Sequence, residues 1–174
     1  MRRSIRLAMT CAALAIGYGV ASSYLQAAPQ MEMVNLSARL SPASEVPPIT
    51  NAESTGSGEV TIVLHVTRDA SKAITGATAD FKGSLKGFPP ETTITAAHIH
   101  RGATGANGAV AVNPMFKAGE ISMSGGAGSF SKMGVTVTPD VAQEIVNSPV
   151  NFYFNVHSTM NGNGVARGQL AASK

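Results

Sequence analysis

The chain has 174 residues, enough for one domain of ordinary size, and its single cysteine is Cys11. Beyond that position a disulfide, a thiol nucleophile and a cysteine metal ligand are all excluded. The formal charge of +3 equals the contribution of Arg2, Arg3 and Arg6, so the remainder is formally neutral. The high isoelectric point is therefore no argument for a nucleic-acid partner.

Residues 1–27 read as a secretory signal peptide. Arg2, Arg3 and Arg6 form its positive start, Leu7 to Val20 is predominantly apolar, and Leu25-Gln26-Ala27-Ala28 offers small residues for cleavage after Ala27 or Ala28. The apolar run is too short for a membrane span, so none is expected in the mature chain. The expected location is secreted or periplasmic. Stability must then come from packing alone, because no disulfide is available.

Residues 28–33 read as a short leader, and 34–174 as a single domain. Gly, Thr, Ser, Val and Ala dominate it, which suits strands joined by tight turns. Val34–Leu40 is the first expected strand, and Pro42–Thr50, with Pro47-Pro48, an irregular edge. Gly58–Thr67 alternates cleanly, with Val60, Ile62, Leu64 and Val66 on one face. Ile74–Leu85 follows, with Gly76 and Gly83 read as bulges or ends. Next come Thr92–His100, a glycine-rich loop at 102–108, and shorter strands at 109–115, 118–123 and 127–132. Thr138-Pro139 signals a helix start, giving one short helix over about 139–147. Val150–Ser158 places Val150, Phe152, Phe154 and Val156 on one face and Asn151, Tyr153, Asn155 and His157 on the other. Val165–Ala171 is the last expected strand. About eight short strands and one helix predict an all-β fold, an antiparallel β-sandwich or small Greek-key barrel.

Three of the four histidines fall in two of these strands: His98 and His100 in Ala97-His98-Ile99-His100, and His157 in Asn155-Val156-His157. Residues two apart on a strand share a face, so His98 and His100 project together, with Ile94 expected beside them. If the two strands pair, His157 joins them. Neutral imidazoles suit copper or zinc, and three protein ligands leave one position open. Met160, Met115 or Met123 is a candidate to fill it. The competing reading is that the three rings buttress the loops at 101–108 and 159–164 through backbone hydrogen bonds. Arg167 reads either as a solvated or salt-bridged side chain or, more sharply, as holding an anion or carboxylate partner near those loops. Glu45, Glu53, Glu59, Asp80 and Glu120 are scattered and show no paired-carboxylate pattern, and nothing pairs His65 with the other histidines.

Three blocks resemble the CHRD (chordin-type) domain: Leu40-Ser41-Pro42-Ala43-Ser44-Glu45-Val46-Pro47-Pro48, then Ala97-His98-Ile99-His100-Arg101-Gly102 through Asn107-Gly108. The third is Phe154-Asn155-Val156-His157-Ser158 with Gly164-Val165-Ala166-Arg167-Gly168-Gln169-Leu170. The resemblance implies an extracellular or periplasmic β-sandwich-like domain of the stand-alone microbial form. Val165-Ala166 stands where that family usually has Glu-Ile. The His-x-His strand is also similar to the copper-ligand strand of Cu/Zn superoxide dismutases, but that two-metal centre needs more histidines than this chain has. The expectation is a non-enzymatic exported domain holding one copper or zinc ion through His98, His100 and His157, with Met160 and Arg167 as auxiliary residues. The alternatives are a single-copper redox enzyme and a structural or adhesive envelope module. No protein partner is legible.

Overall fold

The computed structural model describes residues 28–117 and 119–173. The expected signal peptide, 1–27, lies outside the described residues. Two antiparallel sheets form a sandwich. The first has six strands in the order β10-β1-β2-β3-β7-β6. These are β1 (Gln30–Leu40), β2 (Ser57–Arg68), β3 (Ile74–Lys86), β6 (Ile121–Ser124), β7 (Ala127–Val137) and β10 (Ala171–Ala172). The second has four, ordered β5-β4-β8-β9. Its members are β4 (Ile94–Arg101), β5 (Val110–Val112), β8 (Phe152–Ser158) and β9 (Ala166–Gln169). One α-helix, α1 (Pro139–Asn147), buries Val141, Ala142 and Ile145, and short 3-10 turns cover Pro42–Ser44, Ala52–Thr55 and Pro149–Asn151.

The core is what the period-two alternation dictates. Val60, Ile62, Leu64 and Val66 of β2 face inward and are almost fully buried. Phe81 of the large sheet and Phe154 of the small one meet at 6.0 Å between ring centroids, and Phe130 stacks on Phe154 at 5.8 Å. These rings join the two sheets across the middle of the sandwich. Gly83 is no bulge. It sits in regular register between Val60 and Phe130, and a Cβ there would lie 2.1 Å from the Phe130 ring. A side chain at that position would displace an aromatic of the core.

Several boundaries differ from expectation for physical reasons. The expected leader is partly strand, since β1 starts at Gln30 by pairing with the far end of β2. Val150 is not in β8. It lies in the 3-10 turn opened by Pro149 and is 59% exposed. Ile94 does not share the face of His98 and His100. The β4–β8 register slips between Ile94 and Ala96, and this irregularity turns Ile94 into the core with Ala97 and Ile99. Thr138 flanks α1 as expected but makes no side-chain cap hydrogen bond, leaving Pro139 as the starting signal.

Both faces of the small sheet are covered. Every residue of β8 is buried, including Tyr153, Asn155 and His157 on the face away from the apolar core. Loops from distant parts of the chain lie over that polar face. They include the stretch after β1, the glycine-rich segment between β4 and β5, and the turn between β8 and β9. The candidate site is under these loops.

Candidate metal centre

His98 and His100 alternate with core residues Ala97 and Ile99 on β4, so both rings project to the loop-covered face. In the β4–β8 register His98 opposes Asn155, His100 opposes Tyr153 and Ala96 opposes His157. His157 is thereby placed diagonally from His98. Each of the three histidines offers a ring nitrogen, and the offered atoms all lie within 4.8 Å of one another. The ring centroids are 4.8 Å (His98–His157), 5.6 Å (His98–His100) and 6.0 Å (His100–His157) apart.

The hydrogen bonds fix which nitrogens are available. His100 Nδ1 lies 2.9 Å from the Gly108 carbonyl, and His157 Nδ1 lies 3.0 Å from the Gly162 carbonyl. A carbonyl only accepts, so both Nδ1 atoms donate. In the neutral ring each Nε2 then carries the lone pair. His157 Nε2 accepts from His98 Nδ1 at 3.0 Å. His100 Nε2 is buried and has no hydrogen-bond partner among the described residues. An orphaned buried acceptor costs free energy, and a metal ion is one means of satisfying it. Loop buttressing and metal ligation are therefore compatible: Nδ1 holds the loop and leaves Nε2 with its lone pair. Backbone anchoring of this kind orients metal-binding imidazoles generally. Among the described residues His98 hydrogen-bonds to His157 and to no loop carbonyl, so the buttressing reading does not extend to it.

All three rings are held neutral. Burial lowers the pKa of His98 to about 4, helped by the neighbouring His157 and His100. Burial also lowers His100, reinforced by the Arg167 guanidinium and opposed by the Gly108 carbonyl and Asn155. It lowers His157 against the raising effect of the Gly162 carbonyl. Deprotonated imidazole is the form that ligates.

Around the triad is a polar network that sequence reading found only in part. Arg167 is not a solvated charge. Its Nε donates to Glu45 Oε2 at 2.7 Å, and the two side chains are 6% and 4% exposed. The carboxylate partner anticipated for Arg167 is thus Glu45. The remaining guanidinium nitrogens donate to the Ala106 carbonyl (3.0 Å) and Asn107 Oδ1 (2.6 Å), and the guanidinium carbon lies 4.4 Å from the Tyr153 ring centroid. Tyr153 in turn stacks on His100 at 5.0 Å and 4°. Glu53 is buried and accepts from Ser158 Oγ (2.6 Å) and Asn161 Nδ2 (2.5 Å), which ties the loop after β1 to the turn after His157. A proline-rich loop carrying Glu45 and Glu53 gave no pairing signal, because the partners are 122 and 105 residues away.

The methionine candidates separate. Met160 is exposed and borders a surface cavity with Glu45, Val46 and Gly162 that includes none of the three histidines. Met123 packs against the core. Met115, exposed and at φ 52°, shares a cavity of about 600 Å³ with His98, Phe116 and Lys117. That cavity adjoins the least buried histidine of the three.

An antiparallel sandwich with three histidines gathered on the covered face of its smaller sheet defines a β-sandwich module with a candidate single-metal site. Residues 36–170, most of the chain, match the family model described as the CHRD domain. The chain belongs to the CHRD domain family. A comparison with curated proteins finds no match.

Proposed function

We propose that this chain is an exported, non-enzymatic domain that binds one copper or zinc ion through His98, His100 and His157. The observation that carries the reading is the orphaned, buried Nε2 of His100, on a ring clustered with those of His98 and His157 while its Nδ1 is tied to Gly108. In a tetrahedral site with Zn–N of 2.0–2.1 Å, ligand nitrogens stand about 3.3 Å apart. Small side-chain rotations bring atoms now within 4.8 Å to that spacing. Ligation replaces the His98–His157 hydrogen bond: the His98 proton moves from Nδ1 to Nε2, and no proton need leave the ring. The positively charged start and apolar run of residues 1–27 support export.

Titration with Zn²⁺ and with copper tests the metal assignment. One equivalent is expected, and His98→Ala is expected to weaken binding at least tenfold. Absence of stoichiometric binding, or binding unchanged in His98→Ala, refutes it. Mass spectrometry of the protein recovered outside the cytoplasm should find a chain beginning at Ala28 or Pro29. A second reading, a single-copper redox enzyme, draws support from the cavity that borders His98, which has room for a small molecule beside that ring. It requires turnover that chelator abolishes, and a loaded but inert protein rejects it.

A further inference from the structure

A second cluster of metal-ligating side chains lies on the opposite side of the molecule, on the outer face of the six-stranded sheet. In β1 the core-facing residues are Leu36, Ala38 and Leu40. The alternation places Met31 and Met33 on the outward face, at 81% and 68% exposure. Neither belongs to the core cluster, so packing does not account for two apolar side chains there. The pattern extends further: of the large hydrophobic side chains exposed among the described residues, Met31, Met33, Met115, Met133 and Met160 are methionine, and only Val110 and Val150 are not.

Directly across from Met33, in register, is His65 of β2. Opposed residues of an antiparallel pair have Cα atoms about 4.5–5.5 Å apart, and a diagonal neighbour such as Met31 is within reach of a long side chain. Among the described residues β10 pairs with β1 only at Leu36 and Ser37, which leaves the Met31–Met33 end as an open sheet edge among them. His65 is also prepared as a ligand. Its Nε2 lies 2.9 Å from Asp80 Oδ2. The Asp80 carboxylate is itself held by the Gly134 N–H at 2.7 Å on Oδ1. A carboxylate accepts, so His65 Nε2 donates, and the lone pair falls on Nδ1. This carboxylate–histidine arrangement fixes tautomer and ring orientation at metal sites.

We infer that Met31, Met33 and His65 form a second metal site, selective for copper(I), at the open edge of the large sheet. Thioether sulfur is a soft ligand that favours copper(I), while zinc and copper(II) gain little from it. Two sulfurs and one imidazole suit the low coordination numbers of that ion. The inference does not rest on the three-histidine reading, since the two sets share no residue.

Anaerobic copper(I) titration against a chromophoric competitor tests it, using the wild-type chain and its Met31→Leu/Met33→Leu variant. Leucine matches methionine in volume, and both positions are exposed, so folding is not at stake. The wild type should bind one more equivalent of copper(I) than the variant, and X-ray absorption should show copper–sulfur scattering that the variant loses. His65→Gln should weaken this equivalent at least tenfold, whereas Met133→Leu should leave it unchanged. Equal copper(I) stoichiometry in wild type and the double variant, or a spectrum without sulfur neighbours, overturns the inference. Failure of the three-histidine site would appear separately, as loss of the zinc equivalent that Met31→Leu/Met33→Leu leaves untouched.

Discussion

Replacing Arg167 by methionine, which preserves most of its length and removes its charge, is the most informative single perturbation of this domain. In the native fold Arg167 joins β9 to Glu45 in the loop after β1 and to Ala106 and Asn107 in the glycine-rich loop. Removing it leaves the Glu45 carboxylate, 4% exposed, with no cation. Breaking a buried pair from one side costs about 3–5 kcal/mol. For a domain of this size that is a fall in Tm of roughly 6–20 °C. Burial already pushes the Glu45 carboxyl up and loss of the guanidinium pushes it further, so the cost should grow as pH rises. Glu45→Gln leaves an acceptor for Arg167 and should cost less, about 1–3 kcal/mol. The double variant should fall short of the sum by at least about 1 kcal/mol, as expected for residues in one network. Urea denaturation supplies these values. The Gly108 carbonyl that orients His100 is in the loop Arg167 grips, so metal affinity should drop about 10–100-fold in Arg167→Met. A variant within 1 kcal/mol of wild type refutes the ion-pair estimate. A destabilised variant with unchanged metal affinity refutes the link between loop and site.

Three further outcomes are expected. In chelator, the protein should lose stability as pH falls from about 6.5 toward 4, because the unfolded chain takes up protons on histidines whose native pKa values are depressed. Glu45, pushed up by burial, acts in the opposite direction, but as one group against three. A urea midpoint that is flat or rising between pH 7 and 5 contradicts this. Saturating metal at 100 times Kd should add about 2.7 kcal/mol and raise Tm by roughly 5–10 °C, measured by calorimetry, with no shift in His157→Ala. Gly83→Ala should destabilise by about 1–3 kcal/mol through the clash with the Phe130 ring, whereas Gly105→Ala, with open space around its Cβ, meets no such obstacle and pays only for its positive φ.

The apolar core was legible because strand alternation is local. Phe152, Phe154 and Val156 on one side of β8, and Tyr153, Asn155 and His157 on the other, were readable without any knowledge of topology. The histidine face was identified for the same reason. What the alternation does not contain is the depth of that second face. Tyr153 and Asn155 are polar and alternate with core residues, which ordinarily marks a solvated surface. They are buried because loops separated by more than a hundred positions close over them through Glu45 and Glu53. Such contacts carry no periodicity. Ile94 was misplaced for a different reason. Strict period-two counting assumes an unbroken register, and the irregularity between Ile94 and Ala96 breaks it. The pairing of His65 with Asp80 was equally out of reach, since it needed the β2–β3 register.

That irregularity in β4 acts as a phase change in the pleat. Upstream of it, even-numbered Ile94 points to the apolar interior; downstream, the odd-numbered Ala97 and Ile99 do, and the even numbers carry His98 and His100. One short strand thus conveys two messages in different phase, and the extra residue between them keeps both in frame. The domain should consequently tolerate many substitutions at the exposed Thr95 while rejecting the loss or gain of a single residue there. Such a change forces a choice between driving imidazoles into hydrocarbon and leaving Ile94 in water.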